Sequence, residues 1–148
     1  MKSADDGAEV VPLPSLEDTA RLAEKIAREG VGCIGLSGPL GAGKTTFVRA
    51  FCQALGGREA EVSSPTFVLC HEYSLPENGL LLHWDLYRLT TLPEELLEPV
   101  SPGTIQVIEW YEKFPELRPD IELALHFTLP ERASGVRSVT ILRDGGRG

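Results

Sequence analysis

The sequence is short of positive charge. Only 14 Lys and Arg stand against 22 Asp and Glu, a formal net charge of −8. A protein that grips a duplex on its own needs a basic face to displace condensed counterions. So acidic a chain argues against direct DNA binding. Cysteine is also scarce. Cys33, Cys52 and Cys70 are odd in number and lack CxxC spacing. That argues against a disulfide framework and a cysteine metal site, and favours small core residues of a reducing cytosol. Long apolar runs are missing too. None reaches the roughly 18 residues of a membrane span. The opening "MKSADDGAEV" carries acids where a secretory signal needs an apolar core.

What is present suits one compact domain. The chain has 148 residues and is 42% hydrophobic, enough for a real core. A single domain over 1–148 is expected, with 1–10 and 144–148 as loose ends. "PSLEDTARLAEKIAREG" reads as a helix, capped by Ser15, acidic in its first turn at Glu17 and Asp18, and stopped by Gly30. "VGCIGLSG" reads as a buried strand and "GKTTFVRAFCQALGG" as a helix. "TFVLCHEYSL" and "GLLLHWDLYRL", separated by "PENG", predict an antiparallel hairpin. "LPEELLE" allows a short helix with Pro93 at or near its first position. "IQVIEW" predicts a buried strand. The alternation of Ile121, Leu123, Leu125, Phe127 and Leu129 predicts a half-buried strand, which "PERASG" turns into a returning "VRSVTILR". The fold class expected is α/β, with a mixed sheet, flanking helices and antiparallel hairpins.

The most informative stretch is "LSGPLGAGKTTFVRAF". Gly38 to Thr45 matches G-x-x-x-x-G-K-[ST] at every specified position, after an apolar strand and at the start of a helix. Glycines let the backbone turn tightly and aim its N–H groups inward. The helix N-terminus adds the positive end of its dipole. Lys44 would reach the β- and γ-phosphates, and the Thr45 hydroxyl would ligate Mg²⁺. The bland alternative is a glycine-rich turn with a surface lysine. The complete match in the right context favours nucleotide binding.

A Mg-nucleotide site also needs acids. Asp85 ends the apolar run "LLLHWD", and Glu109 ends "IQVIE". Strand ends on one edge of an α/β sheet converge beside the phosphate loop. The competing reading of each is a strand-end acid that makes a turn or capping bond. Thr66, in "SSPTF", stands where a switch loop can sense a γ-phosphate, or it is ordinary turn chemistry. His71, His83 and His126 lack metal spacing and read as structural.

GPLGAGKTT, SSPTF, HWDLYRL and IEW, in this order and spacing, resemble the TsaE family, small bacterial P-loop ATPases of tRNA threonylcarbamoyladenosine biosynthesis. The resemblance runs from about Pro12 to Leu142. It implies a P-loop NTPase-like fold in a cytoplasmic accessory ATPase of weak intrinsic turnover. The reaction assisted is modification of adenosine 37 in tRNAs reading codons that begin with A. The implied partner is a transferase core of TsaD and its inactive paralogue TsaB, which would hold the tRNA. Carried onto this chain, Leu40, Gly41, Ala42, Gly43, Lys44, Thr45 and Thr46 hold the phosphates of ATP. Thr45 and Glu109 ligate Mg²⁺, and Asp85 sits by the γ-phosphate and the metal. Thr66 senses phosphate. Trp110 packs near the nucleotide or in the core, and Arg137 approaches from the last hairpin. Two rivals share the phosphate loop: a small nucleoside or metabolite kinase, and a nucleotide-dependent binding switch with negligible turnover. No Arg-rich lid supports the kinase.

Overall fold

The computed structural model describes residues 8–57, 70–130 and 135–143. Within them the chain forms β1 (Glu9–Leu13), α1 (Leu16–Glu29), β2 (Cys33–Ser37), α2 (Lys44–Ala54), β3 (Cys70–Leu75), β4 (Gly79–Asp85), β5 (Thr104–Glu109), β6 (Leu123–Thr128) and β7 (Arg137–Arg143). Helix α1 begins as its sequence dictates. Ser15 is extended and its side chain accepts from Asp18 N–H, and Gly30 ends the helix at φ 74°. A left-handed residue there costs glycine nothing.

The strands make one mixed sheet in the order β1-β7-β6-β2-β5-β4-β3. β2 runs parallel to β5 and β6, and β4 runs parallel to β5. The outer pairs β3–β4, β6–β7 and β1–β7 are antiparallel. All five residues of β2 are buried, as expected of a central strand covered on both faces.

The alternation of side chains divides the core in two. On one face Ile34, Leu36, Leu81, Val107, Leu125 and Phe127 meet α1 and α2 through Leu22, Ile26, Phe47 and Phe51. On the other, Cys33, Trp84, Ile108 and Ala124 meet Leu96, Phe114, Leu117 and Ile121. The cover on this second side is made of 3-10 turns, Glu94–Leu97, Tyr111–Lys113 and Pro115–Asp120. Gly35 lets that cover lie close, since a Cβ there would fall 2.6 Å from the Tyr111 ring.

The short helix allowed at "LPEELLE" forms as a 3-10 turn, Glu94–Leu97, with Pro93 just before its first residue. Three expectations need correction. Glu9 and Val10, read as loose lead-in, pair with Ile141 and Thr140 of β7. β6 is not half-buried. Leu123, Ala124, Leu125 and Phe127 are all buried, because β6 lies between β2 and β7 with both faces covered. Ile121 packs in the second cluster outside the strand, and Leu129 is exposed. The tail after Arg143, residues 131–134 of the last turn, and "SSPTF" with Thr66 lie outside the described residues.

Candidate nucleotide-binding site

The parallel strands β2, β4 and β5 point the same way, so their carboxyl ends share one edge of the sheet. Ligands of open α/β sheets bind at that edge. Register then places the side chains. Asp85 lies opposite Glu109, and His83, two residues earlier, lies opposite Val107. His71 of β3 lies opposite His83. All of these share the face covered by α2.

Between β2 and α2 the chain turns through the glycine-rich loop. Gly38, Gly41 and Gly43 all take positive φ, at 127°, 80° and 116°. Gly38 has no room for anything larger, since a Cβ would stand 2.3 Å from the Phe127 carbonyl oxygen. Among the described residues no side chain caps α2. Its first N–H groups and its dipole therefore point toward the loop without a local acceptor, the arrangement an anion completes.

Lys44 is buried, only 5% exposed. Its Nζ donates to the Gly38 carbonyl at 2.6 Å and lies 3.8 Å from Glu109 Oε1. It also sits 4.7 Å from the centre of the Trp110 ring. A buried ammonium is tolerable only when charge and hydrogen bonds compensate it. Here a carbonyl, a carboxylate and an aromatic face do so. Trp110 reaches this place with left-handed backbone, φ 65°. Its ring also packs on Tyr87, centroids 4.9 Å apart. The Lys113 ammonium fixes the strand exit that carries Tyr87, bonding the carbonyls of Leu86, Tyr87 and Leu89.

A cleft of about 940 Å³ opens over this edge. Leu40, Gly41, Ala42, Gly43, Thr45 and Thr46 line it with Lys44. Asp85, Glu109 and Arg137 line it as well. The cleft runs on to Leu13, Pro14, Leu16 and Thr19 at the start of α1. Trp110 borders Lys44 instead of lining the cleft wall. Asp85 is exposed, and its Oδ1 accepts from Tyr87 N–H at 3.1 Å. The turn-bond reading of Asp85 is thus present together with its position at the cleft. Thr45 is exposed.

In the sequence His83 and His71 read as structural. Both line the cleft. His83 Nε2 lies 2.6 Å from Glu109 Oε2. Burial, and then the neighbouring His83, lower the pKa of His71 from its ordinary 6.5, while Asp85 opposes the shift. The signal available was strand alternation: His83 precedes Asp85 by two residues and must share its face. His126 is exposed, and its Nδ1 lies 2.8 Å from the Ser37 hydroxyl.

Thr45, Glu109 and Asp85 offer a hydroxyl and two carboxylates, the hard oxygen donors that suit Mg²⁺. Among the described residues no group of three or more His, Cys, Asp and Glu could hold a metal ion by itself. That is expected of Mg²⁺, which takes few protein ligands and shares phosphate oxygens. The donor set therefore fits a metal that arrives with a nucleotide.

Comparison with known proteins bears on the same residues. The family model described as "Threonylcarbamoyl adenosine biosynthesis protein TsaE" matches residues 13–139. A tRNA threonylcarbamoyladenosine biosynthesis protein TsaE of Aquifex aeolicus is 45% identical over 106 residues, 70% of this chain and 77% of that protein. The protein of the same name in Streptomyces coelicolor is 37% identical over 139 residues, 89% of this chain and 93% of its own. The crystal structure of YdiB from Bacillus subtilis superposes with a TM-score of 0.69 at 26% identity, covering 95% of this chain and 88% of that one.

Proposed function

The chain belongs to the TsaE family, a family of P-loop ATPases implying nucleotide binding, and from that premise we propose that it is a Mg²⁺-dependent ATPase serving threonylcarbamoyl modification of adenosine 37 in tRNA. The observation that carries the reading is the buried Lys44 ammonium. It stands at the unblocked N-terminus of α2, 3.8 Å from the Glu109 carboxylate, where β2, β4 and β5 end.

Each part of the site has a task in this reading. The loop from Leu40 to Thr46 surrounds the phosphates with N–H groups. Lys44 exchanges its bond to the Gly38 carbonyl for phosphate oxygens, so the resting contacts hold the cation in place before ATP arrives. Thr45 and Glu109 would hold Mg²⁺, with Asp85 near it. The metal, when bound, neutralises phosphate charge and orients the leaving group. Asp85, exposed at the strand end, orients the attacking water. Trp110 and Tyr87 shield Lys44 from solvent, which strengthens its pull on phosphate. Arg137, across the cleft at the start of β7, approaches the nucleotide near Leu13. Thr66 senses the γ-phosphate and passes its loss to the partner.

That partner is a TsaD–TsaB-like transferase core in the cytoplasm, and tRNA is met only through it. The net charge of −8 supports the division, since such a chain lacks cations for a tRNA backbone. No helix among the described residues is long and apolar enough to cross a membrane. The test is phosphate release from MgATP by the purified protein, alone and with the core. Slow release, accelerated by the core, is expected. Absence of release in both conditions, or formation of a phosphorylated metabolite instead, overturns the proposal.

A further inference from the structure

One buried contact in the cleft is left without a task by this reading. His83 lies between the apolar part of its face, Leu81 and Val107, and the acids Asp85 and Glu109 at the strand ends. It is only 9% exposed, and Glu109 only 7%. Its Nε2 is 2.6 Å from Glu109 Oε2. Its Nδ1 is buried with no partner among the described residues, as is the Nδ1 of His71 across the strand pair. A carboxylate can only accept, so Nε2 carries the hydrogen of this bond, and Nδ1 is left unpaired. An imidazole here forgoes half its bonding capacity in a low-dielectric setting, which is costly. The bond it does make is therefore the one that matters.

That bond divides the two oxygens of Glu109. Oε2 is turned back into the sheet and held by His83. Oε1 is left on the Lys44 side, at 3.8 Å, too long for a direct hydrogen bond and open to another cation. A free glutamate at a strand end can rotate about its terminal torsion, where the energy wells are broad. A glutamate with one oxygen clamped cannot.

We infer that His83 is a positioning residue: its Nε2–H clamps Oε2 of Glu109 and so presents Oε1 to the metal and phosphate side of the cleft. The inference rests on the nucleotide reading above. Metal-binding carboxylates are commonly oriented by such outer partners, whose removal weakens metal binding by roughly 10- to 100-fold.

Two replacements separate positioning from bulk. His83→Leu fills the space without a donor, and His83→Gln places an N–H near the old Nε2. The probe is ADP, titrated by calorimetry against the full chain, first in EDTA and then across a Mg²⁺ series. For His83→Leu, ADP affinity in EDTA should stay within about twofold of wild type, while the Mg²⁺ midpoint rises about tenfold or more. His83→Gln should recover most of that shift. In the protein free of metal and nucleotide, proton–nitrogen NMR should show a slowly exchanging imidazole Nε2–H that is lost in both variants and shifted by Glu109→Gln. A wild-type Mg²⁺ midpoint in folded His83→Leu overturns the inference alone. So does an Nε2 that carries no hydrogen in the free wild-type protein, a test that stands even if His83→Leu fails to fold. A wild-type protein that binds ADP neither with nor without Mg²⁺ overturns the nucleotide reading, and the inference with it.

Discussion

The two faces of the sheet are built on different terms. One is covered by α1 and α2, whose Phe47, Phe51 and Ile26 are fully buried against it. The other is covered by three 3-10 turns that bury Leu96, Phe114 and Leu117. Among the described residues the buried lysine, histidine and glutamate side chains, Lys44, His83 and Glu109, all lie on the helical face. The reason is geometric. A helix can aim a row of N–H groups and a dipole at one point, whereas a single 3-10 turn cannot. Chemistry collects where the cover is regular, and the irregular cover supplies apolar closure and a supporting frame for Trp110.

The sharpest way to break this contrast is to empty each face in turn. Phe51→Ala should cost about 4 kcal/mol, because the phenyl group stacks on Phe47 and α2 cannot collapse into the hole. Leu117→Ala on the opposite face should cost only about 2 kcal/mol, since a short turn can settle inward. Urea denaturation measures both, and equal losses would remove the distinction. The next effect is chemical. Lys44→Ala should lower ATP turnover about 100-fold and weaken ATP binding, with the packing of Leu96, Phe114 and Leu117 on the far face unchanged. Unaltered turnover would separate the loop from nucleotide chemistry.

Smaller changes sharpen the roles of the two acids. Glu109→Gln should raise the Mg²⁺ concentration for half-maximal hydrolysis about tenfold. Asp85→Asn should lower the maximal rate and leave that concentration within about twofold. Identical profiles for the two variants would erase the separation. The smallest effect is on acid stability. His71 has a folded-state pKa below its ordinary 6.5. Below that ordinary value the unfolded chain takes up the proton first, so the folded form loses stability as pH falls through 6.5. Above it both states are neutral and the contribution is constant. Replacing His71 by Gln should flatten the urea midpoint between about pH 7 and pH 5, and an unchanged slope would place the titration elsewhere.

Legibility followed the distance over which each feature is specified. The phosphate loop, the cap at Ser15 and the stop at Gly30 were readable because each is settled within a few neighbouring residues. The fold class followed from that loop and the apolar strands around it. β1 was missed because five residues with a proline at Pro12 carry almost no pattern, and it exists through pairing with β7, more than 120 positions along the chain. The contact between His83 and Glu109 joins residues on two strands. It depends on the register of β4 against β5, which no local pattern reports. The burial of β6 likewise depends on which strands flank it. Trp110 was named for its position beside Glu109, but its ring over Lys44 follows from a left-handed backbone that favours glycine and that the sequence disguises as an ordinary aromatic.

The seat of Trp110 has an optical consequence. The chain has two tryptophans. Trp84 is buried on the far face, its indole N–H bonded to the Gln106 side-chain oxygen at 2.9 Å. Its emission has no reason to respond to anything in the cleft. Trp110 faces an ammonium that the proposed nucleotide would draw toward its phosphates, and charge near an indole moves its emission. The protein thus holds an indicator and a reference in one spectrum, and titration of nucleotide can be followed by light without a label, against a baseline that the molecule supplies itself.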